Sequence, residues 1–61
     1  MKPFNFSYYR NPRGAEIGPQ LETEQKVCKN KTDAIKTGKL TAKQADWRLI
    51  QITDIDNNII F

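Results

Sequence analysis

The chain has 61 residues, of which 38% are hydrophobic and 28% are charged, and its formal net charge is +3. This length fits one small domain, residues 1–61, with a thin hydrophobic core. A single cysteine and the lack of histidine exclude an internal disulfide, a four-ligand zinc site and any catalytic pair with a histidine base. We therefore expect a protein without catalytic, cofactor-binding or metal-binding residues, and a chain this small favours stabilisation by a partner.

The predicted location of the protein is the cytoplasm. No apolar run approaches the length of a signal peptide core or of a membrane-spanning helix, and one free cysteine, Cys28, fits a reducing compartment. The abundance of lysine, isoleucine and asparagine in so short a chain is typical of the compact accessory proteins that phages and other mobile elements encode.

Residues 1–20 predict an extended arm or strand followed by a loop. Phe4, Phe6 and Tyr8 alternate with other residues, which places the three aromatic rings on one side of a strand. The segment that follows, residues 10–20, contains proline and glycine pairs that interrupt regular structure, so we expect an irregular loop there.

The middle of the chain predicts a helical hairpin, with helices over residues 22–37 and 42–55. Acidic residues near the start of the first helix and lysines near its end suit the helix dipole. Apolar residues of the second segment recur every three or four positions, as on one helix face. The first segment also allows a short strand over Gln25–Lys29 before a helix that starts at Thr32.

The turn between the two predicted helices carries the strongest local pattern in the chain. Gly38 suits the end of a helix, Thr41 suits an N-cap, and Gln44 occupies the third position of a capping box. Leu40 and Ala45 fit the two positions of a hydrophobic staple. This agreement favours a mostly α or small α+β fold that contains a helical hairpin.

The C-terminal third also allows a different fold. Residues 47–53 are rich in residues that favour strands, and residues 54–58 suit a hairpin turn, so the alternative is a β-α-β-β order with strands at 47–53 and 58–61. We expect the apolar residues 59–61 to dock, either as the end of the second helix or as a strand against the Phe4–Tyr9 arm.

Our main functional prediction is a small protein-binding module that modulates or inhibits a larger partner. Tyrosine, tryptophan and arginine are the residues most enriched at interface hot spots. The candidate partner-binding residues are Tyr9, Arg10, Arg13, Trp47 and Arg48. Trp47 is also expected at the centre of the hydrophobic core, because its large apolar area dominates burial in so small a chain.

The alternative is a small basic nucleic-acid-binding protein that uses a lysine-rich helical segment. From residue 26 to residue 43 the chain has six lysines and one acidic residue, and lysines on one surface bind phosphate without sequence preference. The candidate residues are Lys26, Lys29, Lys31, Lys36, Lys39 and Lys43. Two further interpretations stay open: the lysines are only solvated, or the chain is the structural subunit of a homo-oligomer.

Overall fold

The computed structural model describes residues 1–10, 18 and 20–61, which form a three-stranded sheet and one helix. In chain order the elements are β1 (Lys2–Arg10), β2 (Gln20–Cys28), α1 (Lys31–Ala45) and β3 (Trp47–Thr53). The strand order is β2-β1-β3 and both pairings are antiparallel, so β1 is the central strand.

The core lies between one face of the sheet and α1. The predicted alternation in β1 is confirmed, because Phe4, Phe6 and Tyr8 are fully buried on the side of the helix. Ile52 of β3 pairs with Phe6 in the register and is also fully buried. Cys28, at the end of β2, is a buried free thiol that packs as a small apolar residue.

Both ends of α1 have a cap that the sequence supplies. The Asn30 side chain accepts a hydrogen bond from the Asp33 N–H at 2.8 Å, and the Asp33 carboxylate accepts from the Lys29 N–H at 3.0 Å. These contacts satisfy backbone donors that a helix start otherwise leaves open. At the other end Asp46 is left-handed, with φ of 58°, and β3 begins at the next residue.

The helix packs on the sheet through small residues. Ala34, Gly38 and Ala42 are buried and lie four residues apart, hence on one face of α1. A Cβ atom at Gly38 would lie 3.1 Å from side-chain carbons of both Phe6 and Ile52. The missing side chain therefore allows the close approach of the helix to the sheet.

The predicted helical hairpin over residues 22–37 and 42–55 is wrong. Residues 20–28 form β2, residues 31–45 form one continuous helix, and residues 47–53 form β3. Gly38 and Thr41 lie inside α1 rather than at a turn, since burial of the small-residue face outweighs the local capping preference. The other interpretation of the first segment, a short strand before a helix that starts at Thr32, lies close to the observed elements.

The alternative β-α-β-β order fits the structure better than the hairpin does. Its predicted strand at 47–53 coincides with β3, and the expected strand at 58–61 is reduced to an isolated bridge between Thr53 and Ile59. The chain end runs along the outer edge of β3, where the Ile60 N–H donates to the Ile52 carbonyl at 2.9 Å. It does not pair with β1, because β2 and β3 already occupy both edges of that strand.

The turn that leads into this tail is organised by one carboxylate. Asp54 accepts hydrogen bonds at 2.9 Å from the backbone N–H groups of both Asp56 and Asn58. The Asn58 side chain donates to the same carboxylate at 3.3 Å, and Asn57 adopts the left-handed conformation with φ of 63°. Such an arrangement is typical of aspartate at the first position of a tight turn.

Within the described part of the chain, the only helix is α1, and it is neither long nor apolar enough to cross a membrane.

Candidate functional site

The residues predicted to bind a protein partner do not form one surface. Tyr9 and Arg48 pair across β1 and β3 and are both exposed on the sheet face away from α1. Arg10 and Trp47 pair at the next position and therefore lie on the face of the helix. Arg13 lies outside the described residues.

Arg10 and Trp47 are engaged within the molecule. The Arg10 Nε donates to Glu22 Oε1 at 3.2 Å in a half-exposed ion pair. The Trp47 ring centre lies 5.4 Å from that of Tyr8, and Trp47 packs against the core while remaining half-buried. The expectation that Trp47 forms the centre of the core is wrong, because it starts β3 at the end of the sheet; the centre is formed by Phe4, Phe6, Tyr8 and Ile52.

A chain of polar contacts on the helix side connects β1, β2 and α1. The Tyr8 hydroxyl donates to Glu24 Oε1 at 2.8 Å, the Lys26 Nζ lies 3.2 Å from the same oxygen, and Lys26 also donates to the Thr41 hydroxyl at 2.9 Å. Burial, together with the Glu24 carboxylate, raises the pKa of the Tyr8 phenol far above its usual value. Lys26 is thus part of the internal architecture.

The six lysines that were predicted to bind nucleic acid lie in three separate places. The first is the position of Lys26 described above. Lys29 and Lys31 flank the start of α1, where they line a cavity of about 710 Å³ together with Lys2. Asp54 and Asp56 line the same cavity, so its charge is mixed.

The third place is a row of three exposed lysines on α1, Lys36, Lys39 and Lys43, which we call the lysine row. Spacings of three and four residues bring their side chains to one flank of the helix. The Lys39 Nζ lies 5.5 Å from the centre of the Phe61 ring. No hydrogen bond or ion pair joins the side chains of Lys36 and Lys43 to a residue that the structure describes.

The sheet face away from α1, which we call the open face, is uncovered in the described structure and carries no acidic side chain from the three strands. Its middle is formed by neutral polar side chains from all three strands, namely Asn5, Ser7, Thr23, Gln25, Gln51 and Thr53. At one end the exposed Tyr9 lies between Leu21 and Arg48. This face offers hydrogen-bonding groups, one aromatic ring and one cation.

The open face is the feature that sequence analysis missed. Its pattern is present in β2, where Glu22, Glu24 and Lys26 alternate with residues that are exposed on the other face. Acidic residues near the start of a segment also suit a helix, and the alternation in β2 has no hydrophobic period. The sequence pattern of this segment therefore does not distinguish a strand from a helix.

Comparison of the chain with protein-family models, with curated proteins and with solved structures finds no match. In the described residues no cluster of three histidine, cysteine or acidic side chains is arranged to hold a metal ion. The function is therefore inferred from the geometry and charge of the surfaces alone.

Proposed function

We propose that the protein is a small basic nucleic-acid-binding protein that contacts the phosphate backbone through the lysine row. The observation that carries this proposal is the alignment of Lys36, Lys39 and Lys43 on one exposed helix flank, without a carboxylate partner among the described residues for Lys36 or Lys43. Lysine ammonium groups contact phosphate as point charges and supply affinity without sequence specificity.

The length of the row supports three simultaneous contacts. From Lys36 to Lys43 the helix rises about 10 Å. One strand of B-form DNA has a phosphate about every 3.4 Å along its axis, so the row spans roughly three phosphates. The acidic residues of β2 do not oppose this contact, because Glu22 pairs with Arg10 and Glu24 pairs with Lys26.

The test is the salt dependence of binding to a labelled DNA duplex and to single-stranded RNA, measured by fluorescence anisotropy. Three phosphate contacts give a slope of about −2.7 for log affinity against log salt concentration on duplex DNA. We expect the triple variant K36Q/K39Q/K43Q to lose most of the affinity and most of this slope.

A matched control separates the lysine row from net charge. The variant K2Q/K29Q/K31Q removes the same number of charges around the cavity beside the start of α1 and leaves the row intact. Equal losses in the two variants would assign binding to overall charge, and no binding at low salt would refute the proposal.

The pairing of Tyr9 with Arg48 supports a second candidate function, binding of a protein partner by the open face. Leu21, Tyr9 and Arg48 lie side by side across the three strands, and Leu21 is 59% and Tyr9 42% exposed. We expect Y9A/R48A to abolish partner capture from a nuclease-treated lysate, and T23A/Q51A, on the same face, to retain it. Equal capture by both variants would remove this candidate.

A further inference from the structure

Among the residues that the structure describes, none pairs with the outer edge of β2. β2 pairs with β1 on one side only, in a register unbroken over nine residue pairs. No backbone hydrogen bond from the described residues reaches its other side, whereas the chain end covers part of the outer edge of β3. Strand edges are normally blocked by proline, a bulge, charged side chains or a covering segment. β2 contains neither proline nor bulge, and its charged residues, Glu22, Glu24 and Lys26, are of both signs, so they can pair with a second copy of the same strand.

We propose that a second copy of this chain pairs antiparallel with β2, about a two-fold axis at Glu24, and forms a continuous six-stranded sheet. In this register all nine residues of β2 find a partner. Paired positions have the same parity, so both helices lie on the same side of the extended sheet. This interface is isologous, as expected for the commonest symmetric dimer.

The side chains of β2 are self-complementary in this register. On the helix side Glu22 of each copy faces Lys26 of the other, and opposite charges on directly paired strand positions are stabilising. The two Glu24 side chains meet at the axis, where each one is already contacted by a Lys26 ammonium and a Tyr8 hydroxyl of its own chain.

The open face supplies an apolar pair on each side of the axis. Leu21 of each copy faces Val27 of the other, and both residues are 59% exposed in the single chain. When two aliphatic side chains pair across strands, they bury apolar surface that is exposed to water in the single chain.

Charge and strand overlap together favour this register over the neighbouring registers that keep the same faces together. A shift of the partner strand in one direction places Glu22 of each copy opposite Glu24 of the other. The first shift in the other direction pairs Glu24 with Lys26 but leaves Leu21 opposite Lys29, beyond the end of β2, and the next places Lys26 opposite Lys26. The register centred on Glu24 therefore combines opposite charges with the longest overlap.

The proposed dimer is independent of nucleic-acid binding. Lys26 contacts the flank of α1 on the side of β2, whereas Lys39 contacts Phe61 of the tail beside β3. The lysine row therefore lies away from the dimer edge, and the two proposals fail or succeed separately.

The experiment measures the mass of the full-length chain by size exclusion with light scattering over a broad concentration series. We expect the wild type to reach twice the chain mass of 7.1 kDa as concentration rises. Two charge variants, L21K/V27K and L21E/V27E, are each expected to remain monomeric, because like charges then face each other at both pairs. An equimolar mixture of the two is expected to regain the doubled mass.

A control variant tests whether exposed apolar residues in general drive association. L40K/I55K replaces two residues that are 55% and 67% exposed and lie outside β2, and it is expected to dimerise like the wild type. A wild type that stays at 7.1 kDa throughout, or a mixture of the charge variants that stays monomeric, would overturn the proposal. Circular dichroism of each variant tests whether the exposed substitutions leave the fold intact.

Discussion

Gly38 of α1 lies directly over Phe6 of β1, at a separation where an added side chain would have to displace its neighbours. A Cβ atom at Gly38 would stand 3.1 Å from Phe6 Cδ2, and Leu49 and Ile52 bound the same space at 3.2 and 3.1 Å. The distance between helix and sheet is therefore set by the missing side chain. A residue that the sequence favours as a helix end lies instead in the middle of α1, in close contact with the sheet.

Substitution of Gly38 by valine is expected to destabilise the protein by about 1–3 kcal/mol, because the added methyl groups overpack the contact with the sheet. A small gain in helix propensity over glycine offsets only part of this loss. The measurement is urea unfolding followed by circular dichroism. Lys36→Val, on the exposed flank of the same helix, is the control and is expected to change stability by less than about 0.5 kcal/mol; an equal effect of both substitutions would contradict the close packing.

Substitution of Lys26 is expected to lower stability, whereas substitution in the lysine row is expected to weaken binding of DNA. Lys26→Gln breaks the contacts with Glu24 and Thr41, so it lowers the free energy of unfolding by about 0.5 kcal/mol, the scale of a half-exposed ion pair. The affinity of the Lys26→Gln variant for DNA is expected to stay close to that of the wild type. Lys36→Gln is expected to show the opposite behaviour, with unchanged stability and weaker binding. Anisotropy and urea unfolding of both variants give the comparison, and loss of affinity in Lys26→Gln would return this residue to the binding surface.

The buried phenol of Tyr8 predicts a loss of stability at alkaline pH. Burial and the contact with Glu24 raise its pKa above the usual value of 10.0, so the folded chain holds this proton more tightly than the unfolded chain does. The resulting stabilisation is complete below pH 10 and is lost as the pH rises towards the folded pKa.

Tyr9→Phe makes this prediction measurable, because it leaves Tyr8 as the only tyrosine. We expect the tyrosinate absorbance of this variant to appear above pH 10, and to appear together with unfolding in circular dichroism. Ionisation near pH 10 in a chain that stays folded would show that the phenol is accessible to water.

The three strands differ in how clearly the sequence predicts them. β1 is evident from the sequence because Phe4, Phe6 and Tyr8 give it a strong period of two, and the β-propensity of residues 47–53 supports the correct alternative for β3. β2 is an edge strand with polar residues on both faces, so no apolar period marks it.

The candidate surfaces depend on contacts that sequence spacing does not reveal. Lys26 separates from the other lysines because its partner Thr41 comes from a different element. Likewise Tyr9 and Arg48 meet only because β3 pairs with β1 after the intervening helix. Local patterns therefore identified residue types suited to binding, and the tertiary fold decides which of them share a surface.

Asp54 predicts a local change at acidic pH in the turn that positions the chain end. Hydrogen bonds from the backbone N–H of Asn58, and further donors in the same turn, hold the pKa of its carboxyl below the usual value of 3.8. The folded turn therefore favours the ionised carboxylate, and this contribution is present at neutral pH and is lost as the pH falls through the lowered pKa. In a ¹H–¹⁵N NMR titration we expect the amide signals of Asp56 and Asn58 to shift together, with a midpoint below 3.8.

Asp54→Asn removes the titrating group and keeps an acceptor oxygen, so it is the matched control for this titration. We expect the coordinated shift of the two amides to disappear in Asp54→Asn. Because the turn directs residues 59–61 to the edge of β3, Asp54→Ala is also expected to speed hydrogen exchange of the Ile60 amide, which donates to Ile52. Unchanged exchange at Ile60 would mean that the tail docks through its strand contacts alone, without help from the turn.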